Sequence, residues 1–356
     1  MHEKDPTHEI TQIGDLDAAP PKIRLSTRGD LVASVPALLG FHPQRSLVVV
    51  FLDDRSHIAC TMRADLDDAL DHGGDILRRV TEAARTANAD TVVILWFAPR
   101  VSGSLPWGQE VDAVITVLEG SGLVVADALL VDRGRYWSYL CHDEQCCPFQ
   151  GTPVPQGTTQ LEVQRVVQGR HAVVPDREAA ISLYRPRPDL APHASVYSGQ
   201  EQVHTWPLAD RCHQALHDVR ALQEIWCSQG QRPTQNQAGD ELRALLGLLL
   251  TDVTVRDYLL GTLAVEQSDL TNVTSVLTWL ALTSTDDLRP ALAATAAVLV
   301  ALNGDDPAAF WALIDLAEGQ SLAWLLAQGL QIWTPQTLRD LFVEALPDVQ
   351  ARIDAA

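Results

Sequence analysis

Three thiols and an imidazole fall within seven residues, Cys141-His142-Asp143-Glu144-Gln145-Cys146-Cys147, with Pro148 next. Thiolate and imidazole are the donors zinc takes, four at a time, in a tetrahedron. Cys141 and Cys146, with either His142 or Cys147, would supply three of them; adjacent thiols converging on one ion strain the backbone between them. A fourth donor could come from Cys60, Cys212, His213 or His217, the two histidines being four apart and so on one helix face. The spacing matches no common zinc module. Two other readings therefore stand beside the metal. The thiols can pack as small hydrophobes, or Cys141 can form a redox pair with Cys146 or Cys147.

Other side chains could carry chemistry elsewhere. Arg63 and Asp65 are two apart at the end of an apolar-alternating stretch, so they point to one face of a strand. Such a pair binds an anion or positions a substrate, or it closes on itself as a structural ion pair, the simpler reading. Arg135 and Trp137 likewise share a face, and could form a cation-and-ring platform for a small planar ligand unless Trp137 belongs to the core. His42 and Ser46 flank a turn, but a serine nucleophile needs a third, orienting group and an oxyanion site, and no G-x-S-x-G elbow is present. Neither a phosphate-cradling G-x-x-x-x-G-K-[ST] loop nor a G-x-G-x-x-G turn occurs; Gly73-Gly74 lacks the rest of that pattern. The pairs Asp286-Asp287 and Asp305-Asp306 read as helix caps. Trp279, Trp311, Trp324 and Trp333 decorate the C-terminal helices, as core residues or as anchors for a partner.

The elements that must position these residues follow from periodicity. Residues 1–21 read as a flexible leader ending in Pro20-Pro21, and 23–25 as a short strand. Ser26 or Thr27 can cap a helix through Leu31, Val35 and Leu39 that stops at Gly40, with Pro36 as an internal kink or break. The apolar runs 46–52, 91–97 and 123–131 suit strands buried on both faces, and 57–63 and 135–140 are returning hairpin strands. Helices over 75–87, 109–118, 158–168 and 176–184 alternate with them. This predicts a layered α/β domain with a mixed sheet over 22–184, a proline-bearing linker over 185–207, and an all-α bundle or array over 208–356.

Several stretches together resemble an actinobacterial family, the domain of unknown function (DUF) 4192. The residues that carry the likeness are Pro36-Ala37-Leu38-Leu39-Gly40-Phe41-His42-Pro43 with Ser46-Leu47-Val48, then Arg63-Ala64-Asp65-Leu66, Gly134-Arg135-Tyr136-Trp137-Ser138-Tyr139-Leu140-Cys141 and Cys146-Cys147-Pro148. Gly169-Arg170, Asp176-Arg177-Glu178, Gly304-Asp305 and Ser321-Leu322-Ala323-Trp324-Leu325-Leu326 are similar too. The likeness covers roughly 23–331 and implies the domain order and a GC-rich source, but no activity.

Composition narrows the function classes. The chain has 356 residues, 46 acidic and 26 basic, a net charge of -20 and 46% apolar content, as in a soluble globular protein of about two domains. Residues 239–356 alone carry 16 acidic and 5 basic side chains. Acidic balance argues against nucleic acid and against anionic lipid as partners. The polar stretch 1–11 lacks the apolar run of a secretory signal, and no apolar run reaches the ~20 residues of a membrane helix, so a cytoplasmic protein with reduced thiols is expected. The expected function is a non-catalytic ligand-binding or regulatory protein whose acidic helical domain meets a protein partner. The alternative is a hydrolase or metal-dependent enzyme with its site near Arg63, Asp65, Arg135 and the 141–147 loop, zinc being the one cofactor the residues suggest.

Overall fold

The computed structural model describes residues 23–100, 105–168, 170–198, 200–228, 237–266, 269–304, 307–329 and 335–356. The expected leader, Gly169, the Asp305-Asp306 pair and Trp333 lie outside the described residues. Residues 23–26 form no strand. Helix α1 (Arg28–Leu39) starts at a capping box: the Asp30 N–H donates to the Thr27 hydroxyl at 3.0 Å, and the Thr27 N–H donates to the Asp30 carboxylate at 2.9 Å. Pro36 sits inside α1 without ending it, and Gly40 stops it at φ 85°, a left-handed conformation glycine adopts without strain.

Strands β1 (Ser46–Leu52) and β2 (Ile58–Asp65) form a hairpin. The short α2 (Leu66–Asp71) and α3 (Gly73–Thr86) lead to β3 (Thr91–Phe97), and α4 (Gly108–Gly120) crosses over to β4 (Val124–Asp132). A tight turn enters β5 (Arg135–Ser138), and two residues of β6 (Thr152–Pro153) finish the sheet. The strand order is β2-β1-β3-β4-β5-β6, with β3 and β4 parallel and the other pairs antiparallel. Alternation along each strand divides the core. Leu47, Val49, Ile94 and Leu130 pack with α3 and α4 on one face; Val48, Val50, Leu95 and Leu129 pack with α1 on the other.

One irregularity matters for the site. Opposite β3, the register passes from Val92↔Val125 to Val93↔Asp127, so exposed Ala126 is an extra residue in β4. The bulge flips the alternation beyond it. Val125 and Ala128 both pack on the α3–α4 face, and Asp127 turns toward α1.

Helices α5 (Gln160–Val167), α6 (Arg177–Ser182) and α7 (Ala194–Ser198) precede the helical half. The stretch 185–207, expected as the linker, packs against that half. Two single helical turns flank α7, Val203 is 1% exposed within the helical core, and Arg243 donates to the Leu190 carbonyl at 2.8 Å. A few apolar anchors separated by prolines show no sequence period, yet burying one such side chain gains roughly 1.5 kcal/mol or more.

The helical half comprises α8 (Leu208–Ser228), α9 (Gln237–Leu249), α10 (Val253–Glu266), α11 (Thr271–Leu282), α12 (Arg289–Asn303), α13 (Pro307–Leu316), α14 (Ser321–Gly329) and α15 (Pro335–Asp354). Helix α12 is buried on every side from Ala291 to Leu302, as a helix apolar all round must be, with α10, α11, α13, α14 and α15 packed against it. Ala308 of α13 packs into the α1-side cluster, joining the halves. Among the described residues no helix is long and apolar enough to cross a membrane.

Candidate metal centre

The bend after β5 gathers its thiols. The sulfurs of Cys141, Cys146 and Cys147 lie within 4.8 Å of one another, and Cys146 is exposed. Local hydrogen bonds produce this. The Asp143 carbonyl accepts from the N–H groups of Cys146 at 3.1 Å and Cys147 at 2.7 Å, and its carboxylate accepts from the Gln145 N–H at 2.9 Å. The tight turn brings to one spot the two adjacent thiols, which are expected to converge only with strain. His142 lines the neighbouring hollow but is not among the three donors.

The thiols differ in acidity. The Asp143 N–H donating to the Cys141 sulfur holds that thiol below its usual value, helped by its thiol neighbours and by the Arg28 guanidinium. Burial, then the neighbouring sulfurs, pushes Cys147 up to about 12.

A polar chain runs from the thiols into the sheet. Arg28, on the first turn of α1, contacts Cys146 at 3.5 Å and Cys147 at 3.8 Å and pairs with Asp127. Asp127, which the bulge turns inward, is 4% exposed and accepts from the Ser138 hydroxyl at 2.7 Å. The Ser138 oxygen in turn accepts from the N–H groups of Leu140 at 3.1 Å and Cys141 at 3.1 Å, fixing the start of the bend. Ionic and hydrogen-bonded contacts thus tie α1, β4 and β5 to the thiols.

Arg135 and Trp137 hold the far end of the bend. Arg135 donates to the Gly151 carbonyl at 2.8 Å, and the Trp137 indole N–H donates to the Phe149 carbonyl at 3.0 Å. Gly151, at φ 79°, lies flat against the indole; a Cβ there would come within 2.4 Å of the ring. Arg100 stacks on Trp137 at 4.9 Å and on Phe149 at 4.6 Å. The expected platform for a planar ligand is therefore occupied by the protein's own guanidinium.

Arg63 and Asp65 sit elsewhere. They lie on β2, at the opposite edge of the sheet, four strand spacings or about 19 Å from β5. Arg63 donates to Asp65 at 2.6 Å and to the Ser46 hydroxyl at 3.0 Å, and that hydroxyl donates to the Gln44 carbonyl at 2.8 Å. This is the structural ion pair. It also engages Ser46, whose hydroxyl is committed to Arg63 and the Gln44 carbonyl. A single site joining Arg63, Asp65, Arg135 and the thiols does not form, because strand order separates residues that strand ends alone seemed to unite. The proposed fourth donors are dispersed too. Cys60 and Cys212 pack within the two cores, each thiol pushed up to about 11 by burial; His213 and His217 are exposed on α8, and His213 stands edge-on to Tyr258.

Sequence reasoning passed over Arg28, Arg100 and Asp127. Only Asp127 left a signal, as a carboxylate inside an otherwise apolar strand, which is rarely buried without partners.

Fold and site define a mixed α/β domain with a three-thiol bend at one sheet edge, followed by a helical domain. The model of the family described as "Domain of unknown function (DUF4192)" matches residues 29–336, and the chain belongs to that family. No curated protein and no solved structure matches the chain.

Proposed function

We propose that this chain is a non-catalytic, cytoplasmic binding protein whose α/β domain carries one zinc ion on Cys141, Cys146 and Cys147 with solvent as the fourth donor, and whose acidic helical domain meets a protein partner. The observation that carries the reading is the convergence of the three sulfurs within 4.8 Å. Tetrahedral zinc at ~2.3 Å from each sulfur needs them about 3.8 Å apart, a small inward movement. Three thiolates outweigh one divalent cation by one charge, and Arg28 beside two of the sulfurs offsets it. Exposed Trp311, Trp324 and Leu325 support the partner surface.

A second reading, a metal-dependent enzyme, is favoured by the hollow of about 250 Å³ that Arg100, Cys141, His142 and Phe149 line beside the thiols. A catalytic zinc keeps one position open to such a space.

The test is elemental analysis of protein purified without a histidine tag. About one zinc per chain is expected, falling below a tenth in the Cys141→Ser/Cys146→Ser variant, with a lower melting temperature after chelation of the wild type. Metal-free protein whose melting is unchanged in that variant overturns the zinc reading.

A further inference from the structure

A second hollow lies at one end of the sheet rather than at either edge. It has a volume of about 560 Å³, within the range of small-molecule pockets, and opens beyond the carboxyl ends of β3 and β4, the parallel pair. Open α/β sheets place their ligands at such strand ends. We infer that this cleft binds a small organic anion, a flat apolar body bearing one carboxylate or phosphate, with Arg133 as the anion's partner.

The floor is apolar: Val32 and Pro36 of α1, Phe97 and Val131 at the strand ends, and Val154 with Pro155. The polar groups stand on the rim and differ in their commitments. The Asp132 carboxylate accepts from the Arg100 N–H at 3.0 Å, and Glu162 accepts from the Thr159 N–H at 2.7 Å within the cap of α5. Arg45 is paired with Asp67. Arg133 is exposed and, among the described residues, has no counter-ion; His42 is exposed on the rim as well. An incoming anion thus meets a free guanidinium over an apolar floor, and each of the two rim carboxylates is held in place by a backbone N–H.

Arg133 is also held at a cost. It lies at φ 46°, followed by Gly134 at φ 73°, in the two-residue turn between β4 and β5. That turn needs left-handed backbone at both positions, and asparagine suits the first far better than arginine. An arginine placed where local conformation disfavours it points to a role for its side chain.

The tension between turn and cleft supplies the test. The probe is 8-anilinonaphthalene-1-sulfonate, an apolar ring system with one anionic group, titrated by fluorescence into the full chain at moderate ionic strength. Arg133→Asn is expected to keep or raise the melting temperature while weakening the probe about tenfold, the loss of one charge-assisted contact. Arg133→Lys, which keeps the charge, is expected to retain most of the affinity. Ala33→Trp, from the α1 wall, fills the cleft and should abolish the signal. Displacement of the probe by benzoate or by phenyl phosphate identifies which anion the site prefers. Binding unchanged in Arg133→Asn, a signal that survives Ala33→Trp, or displacement by neither competitor at millimolar concentration overturns the assignment. The outcome is independent of the zinc reading, whose residues line a different hollow.

Discussion

The two edges of the sheet carry similar side chains and put them to opposite uses. At the β2 edge, Arg63, Asp65, Ser46 and the Gln44 carbonyl satisfy one another in a closed set. At the β5–β6 edge, Arg28, Asp127 and Ser138 are equally well paired, but the chain they form ends on three sulfurs, and Cys141 and Cys147 line a hollow. A polar network that closes on itself stabilises an edge and leaves nothing free to bind. One that ends on partly exposed donors, held by backbone N–H groups, has coordinating capacity left over. Charged residue types alone do not distinguish the two; connectivity does.

That contrast can be broken by substitution. The largest effect is expected from Gly151→Val, which drives a side chain into the Trp137 ring at a left-handed position; a loss of about 3 kcal/mol in urea unfolding should follow, with loss of the zinc proposed for the bend. An unchanged midpoint would show that the bend does not depend on the Gly151–Trp137 wedge. Asp127→Ala comes next, at about 2 kcal/mol, below the usual ~3–5 kcal/mol for a broken buried pair because Arg28 remains partly solvated. Thr27→Ala, which removes the cap that starts α1 beside the thiols, should cost about 1 kcal/mol by thermal melting. Asp65→Asn should cost less than ~1 kcal/mol and leave zinc content unaltered, since its carboxylate is half exposed. If Asp65→Asn proves as damaging as Asp127→Ala, the two edges are energetically alike and the contrast fails.

Much of the fold was legible because its signals are local. The apolar runs became β1, β3 and β4, Thr27 and Gly40 bounded α1, and Asp132-Arg133-Gly134 made the turn into β5. The thiol trio was half legible. Seven residues of chain bring Cys141, Cys146 and Cys147 near one another, but the choice of Cys147 over His142 depends on the Asp143 turn. The expected fourth donors were invisible as errors, because burial of Cys60 and Cys212 is a property of two separate cores.

The amino-acid sequence by itself determined the long strands β1, β3 and β4 and most of the helices beside them, where α1 begins and ends, and which bend is rich in thiols, since each rests on interactions among near neighbours in the chain. Tertiary structure alone decided that Arg63 and Arg135 stand at opposite edges, that the Ala126 bulge turns Asp127 to meet Arg28, and that the 185–207 stretch is anchored rather than free. The physical reason is that strand order, register and docking are fixed by burying surfaces contributed by residues distant in sequence, and no local pattern records which distant surface will be met.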